Sequence, residues 1–142
     1  MTWYKSAAEQ GERLGMFNIG LLYERGKGVD RDDAEALAWY RRAADKGYAS
    51  AMHQIGVMIR DGRAAPADAV EAMAWLTAAD GFYSPQDAEE KTENRAAMET
   101  LSRQLDAGQL ARARERANAI DAASRPVKAP DPKPMEPGEK AT

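Results

Sequence analysis

Tryptophan recurs at a fixed interval along this 142-residue chain. Trp3, Trp39 and Trp75 each lie 36 residues from the next. Other residues keep the same interval: Met16 and Met52, Ile19 and Ile55, Gly20 and Gly56, and Gly26 and Gly62. A register of matches at one interval of this length indicates an internal repeat, which is the signature of a repeat solenoid. The register predicts two full repeats, preceded by the second half of another.

Each repeat contains two helical patterns separated by a glycine turn. Helix A of the first repeat is predicted over about 12–25, and one of its faces carries Gly15, Met16, Ile19, Gly20 and Tyr23 at helical spacing. The Gly-Lys-Gly run at 26–28 ends it, because glycine adopts the left-handed backbone of a tight exit. Helix B is predicted over about 32–46, with Asp32 as the N-cap and Glu35 as its capping-box partner. The second repeat follows the same plan, with helices near 51–61 and 68–80.

Gly20 and Gly56 fall in the middle of predicted helices, where glycine costs about 0.5–1 kcal/mol relative to alanine. We expect this cost to be offset by close approach of the neighbouring helix. Trp39 and Trp75 are predicted to fill the adjoining space.

The register ends near residue 83, and the following residues predict a C-terminal cap of two helices. Pro85 suits a first helical turn, and Asp106 and Gln109 predict a capping box that opens the last helix. From Arg125 onward, five prolines and few large apolar residues predict an extended, disordered tail. The predicted organisation is an incomplete repeat over 1–11, full repeats over 12–47 and 48–83, capping helices over 84–124 and a tail over 125–142.

In the first full repeat, residues 19–29 read Ile-Gly-Leu-Leu-Tyr-Glu-Arg-Gly-Lys-Gly-Val, and Asp32, Ala36, Trp39-Tyr40 and an Ala-Ala-Asp-Lys-Gly segment at 43–47 follow. This pattern resembles the Sel-one-like repeat. The family pattern has leucine-glycine, a tyrosine, Gly-x-Gly-Val, an aspartate, and tryptophan-tyrosine followed by Ala-Ala-x-x-Gly. The second repeat is looser, because Ile59, Ala64 and Leu76 replace the tyrosine, the second turn glycine and the second aromatic.

This resemblance covers residues 3 to about 83. It implies an all-α fold, a right-handed α/α solenoid related to tetratricopeptide repeats. It also implies that the protein acts as an adaptor for other proteins.

The sequence lacks the residue sets of common catalytic and metal sites. It has no cysteine and one histidine, His53, so cysteine nucleophiles, histidine triads and multi-histidine metal sites are excluded. The Gly-Lys-Gly run lacks the rest of a phosphate loop. The aspartates at 30–33 lack the glycine and glutamate of a calcium loop. We therefore predict no catalytic, metal-binding or cofactor-binding residue, and interpret His53 as a solvated or rim residue on the outer part of helix A.

A stripe of residues facing away from the core remains as the candidate binding surface. It comprises Leu14, Asn18, Leu21 and Arg25 in the first repeat and Ser50, Gln54, Val57 and Asp61 in the second. In solenoids of this kind the A helices line the concave side, so we expect a peptide or protein segment to bind there. Asn18 and Gln54 would hydrogen-bond its backbone, and Leu21 and Val57 would supply apolar contact. An ordinary solvated face is the alternative interpretation.

Other classes of partner and the location of the protein follow from charge and hydropathy. The net charge of −3 does not favour nucleic-acid binding, and no segment approaches the ~20 apolar residues of a membrane span. An alternative function is a structural subunit that self-associates, or stacks on another solenoid, through its exposed N-terminal half-repeat, so a homo-oligomer stays open. The first residues lack a signal peptide. A cytoplasmic location is the default expectation, and a periplasmic or secreted one follows if the true start lies upstream.

Overall fold

The computed structural model describes the backbone of residues 2–125 and the side chains of residues 11–125, and this part contains six α-helices and no strand. The helices are α1 (Thr2–Arg25), α2 (Asp33–Asp45), α3 (Ala49–Arg60), α4 (Ala69–Asp80), α5 (Ala88–Ser102) and α6 (Ala107–Ser124). A turn of 3-10 helix, Pro85–Asp87, precedes α5. The predicted tail beyond Arg125 and the side chain of Trp3 lie outside the described residues.

Helix α1 is continuous over 24 residues, whereas the sequence analysis divides it between an incomplete repeat and helix A. Gly11 is helical. Gly47, 36 residues further on, instead has a φ of +80° and lies just after α2. A single helical glycine costs only about 1 kcal/mol, and α1 packs along α2. The predicted boundary between residues 11 and 12 is therefore not a break between two helices.

The turn between the helices of each repeat has the predicted left-handed backbone. Gly26 and Gly28 have φ values of +69° and +77°, and Gly62 has a φ of +72°. Ala64 occupies the position of the second turn glycine and has a φ of +64°. The second repeat therefore keeps the geometry of the turn although alanine replaces the glycine. This conformation is strained for a residue with a Cβ atom.

Asp32 caps α2 as predicted, since its Oδ1 accepts a hydrogen bond from the Glu35 backbone N–H at 3.0 Å. The reciprocal bond of the predicted capping box does not form. The backbone N–H of Asp32 donates instead to the Tyr23 carbonyl at 3.0 Å, which ties the end of α1 to the start of α2. At the start of α6 the predicted box is complete, with bonds between Asp106 and Gln109 in both directions.

The two mid-helix glycines make close contacts, but not with the predicted tryptophans. A Cβ atom on Gly20 would lie 2.6 Å from the Tyr40 ring, and one on Gly56 would lie 2.8 Å from the Leu76 side chain. In each repeat the residue after tryptophan fills the gap. Trp39 is half-buried, and the Arg42 guanidinium lies 4.5 Å from the centroid of its ring.

Helix α4 lies at the centre of the C-terminal half, because α3, α5 and α6 all pack against it. Helix α6 also reaches α2, so it runs back over the second helices of both repeats. Its buried face carries Ala113, Ala117, Ile120 and Ser124. Arg116 forms an ion pair with Glu71 of α4 at 3.1 Å. The two C-terminal helices therefore cover two different sides of α4.

Candidate protein-binding face

The predicted stripe begins on α1, which carries two exposed large apolar side chains, Leu14 and Leu22. Leu14 is 46% exposed, and Asn18 and Arg25 are also exposed. Leu21 is half-buried and packs against the hydrophobic core, so it contributes only part of its surface.

On α3 the predicted residues form a narrower strip, because α2 and α4 pack on either side of this helix. Ser50, Gln54 and Val57 are half-buried. Asp61 is exposed, and its carboxylate accepts a bond from Arg60 Nε at 2.9 Å. The strip therefore offers small polar and apolar contacts rather than a deep recess.

The Gln54 side chain makes a contact that the sequence analysis missed. Its Nε2 donates to Glu24 Oε1 at 3.1 Å, and the Tyr40 hydroxyl donates to the same oxygen at 2.9 Å. Burial, together with the neighbouring Glu24 carboxylate, raises the pKa of Tyr40. Gln54 thus joins α3 to α1, and its amide nitrogen is engaged inside the protein.

The same cluster extends to the turn after α3. The Arg63 guanidinium lies 3.8 Å from Glu24 and donates to Asp33 at 3.0 Å. This hydrogen bond lowers the pKa of Asp33. The cluster therefore fixes the position of the second repeat relative to the first. Glu24 lies one helical turn after Gly20, on a face that packs against α2, so a carboxylate there needs polar partners. The spacing of Glu24 from Gly20 is therefore the sequence feature from which this cluster could have been predicted.

His53 lies at the rim of the core, one of the two positions predicted for it, and not in open solvent. The ring is half-buried between α3 and α5, and Nδ1 lies 2.8 Å from Asn94 Oδ1. Asn94 is fully buried, and its Nδ2 donates to the Leu76 carbonyl at 2.8 Å. The Asn94 oxygen therefore accepts, and His53 Nδ1 carries the proton. In the repeat register His53 corresponds to Phe17, which stacks on Tyr48 of the next repeat at 5.2 Å. Phe17 thus faces the second repeat, and His53 faces α5, the helix that follows the second repeat.

A cleft of about 520 Å³ opens at the N-terminal end of α3. Its lining includes Arg13, Leu14, Tyr48, Ser50, Gln86 and Asp87. Two of these, Leu14 and Ser50, belong to the predicted stripe. Arg13 donates through Nη1 to the Lys46 carbonyl at 3.1 Å, while its buried Nε has no hydrogen-bond partner among the described side chains. The stripe and the cleft thus form one continuous surface.

Neither a metal-binding cluster nor a membrane-spanning helix is found in the described part of the chain. It contains no group of three or more histidine, cysteine or acidic side chains that could hold a metal ion. None of its helices is long and apolar enough to cross a membrane.

Comparisons with known proteins agree with this fold. The family model described as Sel1 repeat matches residues 1–12, 13–48 and 49–79. The solved structure of a protective antigen present in uropathogenic Escherichia coli strains, displaying an SLR fold, aligns with 98% of the chain at 28% identity and a TM-score of 0.66. A Sel1 repeat protein from Oxalobacter formigenes aligns with 63% of the chain at 33% identity and a TM-score of 0.49. No curated protein sequence matches.

The chain spans 30% of the length of the first of these structures and 37% of the second. The family match and the first structure confirm the predicted all-α solenoid and the resemblance to Sel-one-like repeats.

Proposed function

Because the chain belongs to the Sel1 repeat family, we propose that it is a non-catalytic scaffold that binds a peptide or protein segment. Proteins with this repeat generally act in protein–protein interaction and are typically non-catalytic. The proposed binding surface is the strip along α1 and α3, on the expected concave side, together with the cleft at its end. We call this surface the strip–cleft face.

This proposal rests mainly on one observation, that the strip along α1 and α3 is continuous with the cleft. A segment lying along the strip at Asn18 would reach Leu14 and Ser50, which both line the cleft. There it would meet the polar side chains of Arg13 and Gln86 around an apolar contact. Protein interfaces combine an apolar centre with a polar rim in this way.

The hydrogen-bonded cluster around Glu24 also supports this function, because it holds α1 and α3 rigidly together. Glu24 accepts from Gln54 and Tyr40, and Arg63 connects it to Asp33. These bonds fix the spacing between α1 and α3 before any partner arrives. A preorganised surface loses less conformational entropy on binding than a mobile one.

Selection of peptides from a display library against the full chain tests the proposal. The double variant Leu14→Ala/Asn18→Ala removes exposed side chains from the strip–cleft face without touching the core. We expect selected peptides to bind this variant at least about tenfold more weakly, a loss of about 1.4 kcal/mol. Asn118→Ala, on the exposed surface of α6, is the matched control and should leave affinity unchanged. Peptides that bind the double variant as tightly as the original chain would contradict the proposed face.

A further inference from the structure

The described part of the chain ends beside the cleft of the strip–cleft face. Gly47 and Phe82 belong to the lining of this cleft. A Cβ atom added to Gly47 would lie 3.6 Å from the Ser124 carbonyl oxygen, and the Arg125 guanidinium lies 4.5 Å from the centroid of the Phe82 ring. Arg125 has left the helix with an extended backbone, at φ −80° and ψ 128°. The residues from Pro126 onward therefore start at the rim of the cleft.

The sequence that starts there has a period of three. Every third residue from 126 to 135 is apolar, namely Pro126, Ala129, Pro132 and Met135. Polyproline II helix has three residues per turn, so in that conformation these four residues lie on one side. We call them the apolar row. The charged residues of the same stretch all fall on the other two sides: Lys128, Asp131, Lys133 and Glu136. The segment is thus patterned to bury one side and to keep its charges in water.

The strip–cleft face offers an apolar surface that suits the apolar row. Tyr48 and Phe82 place two half-buried aromatic rings in the cleft, and the strip continues over half-buried Leu21 and Val57. Aromatic-lined grooves bind proline-rich segments, because polyproline II helix loses little entropy on docking. Nine residues of this helix span about 28 Å, whereas the 12 residues of α3 span about 18 Å. The row is therefore long enough to cross the cleft and follow the strip.

We propose that residues 126–135 dock onto the strip–cleft face of the same chain, with the apolar row against Phe82, Tyr48 and the strip, and compete there with a bound peptide. A segment tethered at the rim of its own site has an effective concentration of roughly millimolar. Even weak docking therefore covers the face against a dilute partner, and only a partner that binds more tightly displaces the segment. The competition rests on the proposed scaffold function, whereas the docking does not.

Paramagnetic relaxation tests the docking in the full chain without any partner. The chain has no cysteine, so Glu136→Cys places a single nitroxide label just beyond the apolar row. We expect strong broadening of the backbone amide signals of Leu21 and Val57 and little broadening at Ala119. Ala119 lies only about 9 Å along α6 from Arg125, so a segment that samples all directions would broaden Ala119 at least as much as Val57. That result would overturn the proposal.

Two proline variants of the labelled chain test the role of the apolar row. Pro132→Asp places a carboxylate in the row and should weaken docking by about tenfold or more, because the charge would be buried against apolar side chains. Pro134→Asp makes the same substitution on a polar side and should leave the broadening at Val57 unchanged. Equal effects of the two variants would overturn the proposed contact.

A mixing experiment separates docking within one chain from docking between chains. Isotopically labelled chains without the nitroxide are mixed with nitroxide-labelled chains that carry no isotope. We expect no broadening at Val57 in this mixture, because each face is covered by its own segment. Broadening as strong as in the doubly labelled chain would show docking between copies and overturn the proposal.

The peptides selected from the display library test the competition. They should bind Pro132→Asp several-fold more tightly than the original chain, and Pro134→Asp should bind them like the original chain. Unchanged affinity for Pro132→Asp, in a protein whose amide signals show docking, would overturn the competition. A library that yields no binding peptide would contradict the scaffold function instead, and the relaxation measurements would still decide whether the segment docks.

Discussion

His53 and Asn94 meet across the interface between α3 and α5, with 2.8 Å between Nδ1 and Oδ1. The same Asn94 amide donates to the Leu76 carbonyl of α4. The fully buried Asn94 side chain therefore joins α5 to both helices of the second repeat, to α3 through His53 and to α4 through the Leu76 carbonyl.

Replacement of Asn94 by leucine should destabilise the fold by about 1–3 kcal/mol. The apolar side chain leaves the half-buried His53 N–H without its partner, and an unsatisfied buried polar group costs about that amount. Urea unfolding followed by circular dichroism measures the change. Asn118→Leu makes the same substitution on the exposed side of α6 and should alter the free energy of unfolding by less than about 0.5 kcal/mol. Equal effects of the two substitutions would show that the buried amide has no special role.

Two glycines on α1 should respond oppositely to alanine. In Gly20→Ala the new Cβ would lie 2.6 Å from the Tyr40 ring, which is fully buried and cannot move aside without disturbing the core. We expect a loss of about 1–3 kcal/mol from overpacking. In Gly15→Ala the Cβ meets open space, so the helix should gain up to about 1 kcal/mol in propensity. Both changes in the free energy of unfolding are measured by urea unfolding. A destabilised Gly15→Ala or an unaffected Gly20→Ala would contradict the packing described here.

Ala64→Gly should stabilise the protein. Ala64 has a φ of +64°, and a residue with a Cβ atom pays about 1–2 kcal/mol in the left-handed region. Glycine removes that strain but gains entropy in the unfolded chain, so we expect a net gain of about 0.5–1 kcal/mol. Thermal unfolding detects it as a higher Tm. Ala65→Gly, at a neighbouring residue without a positive φ, brings only the entropic cost and should lower the Tm. A lower Tm for both variants would indicate that position 64 is not strained.

The repeat register predicted the helices and turns well because both depend on local sequence. Helical spacing places apolar residues on one face, and a left-handed turn selects glycine at Gly26 and Gly62. The partner of Gly20 was predicted wrongly. Trp39 and Tyr40 are adjacent in sequence but point about 100° apart around α2. The crossing of α1 and α2, rather than the size of the ring, selects which of them fills the gap.

Contacts between repeats were the part of the candidate site that local sequence could not predict. Glu24 and Gln54 are 30 residues apart, and His53 and Asn94 are 41 residues apart. Whether these side chains meet depends on the rotation of one repeat against the next. Helical spacing therefore predicts the stripe, but it does not predict that Gln54 holds the two repeats together.

The ion pair between Asp33 and Arg63 makes part of the stability depend on pH. The Arg63 guanidinium, at 3.0 Å, holds the pKa of Asp33 below its ordinary value of 3.8. Because the folded chain binds this proton less readily than the unfolded chain, the pair stabilises the fold above pH 3.8. That contribution is lost as the pH falls through the lowered pKa of the folded state.

Asp33→Asn removes the charge while keeping the shape of the side chain, so it should destabilise the protein at neutral pH. The difference from the original chain should shrink as the pH falls below 3.8, where the unfolded chain binds the proton. It should vanish below the lowered pKa of the folded state, where the folded Asp33 is neutral as well. Urea unfolding at a series of pH values measures both free energies. Asp30→Asn, at an exposed aspartate three residues earlier, serves as the control and should track the original chain. A difference for Asp33→Asn that stays constant down to the most acidic sample would mean that its charge does not stabilise the fold. The junction between the repeats would then depend on packing and on the bonds that Glu24 accepts from Tyr40 and Gln54.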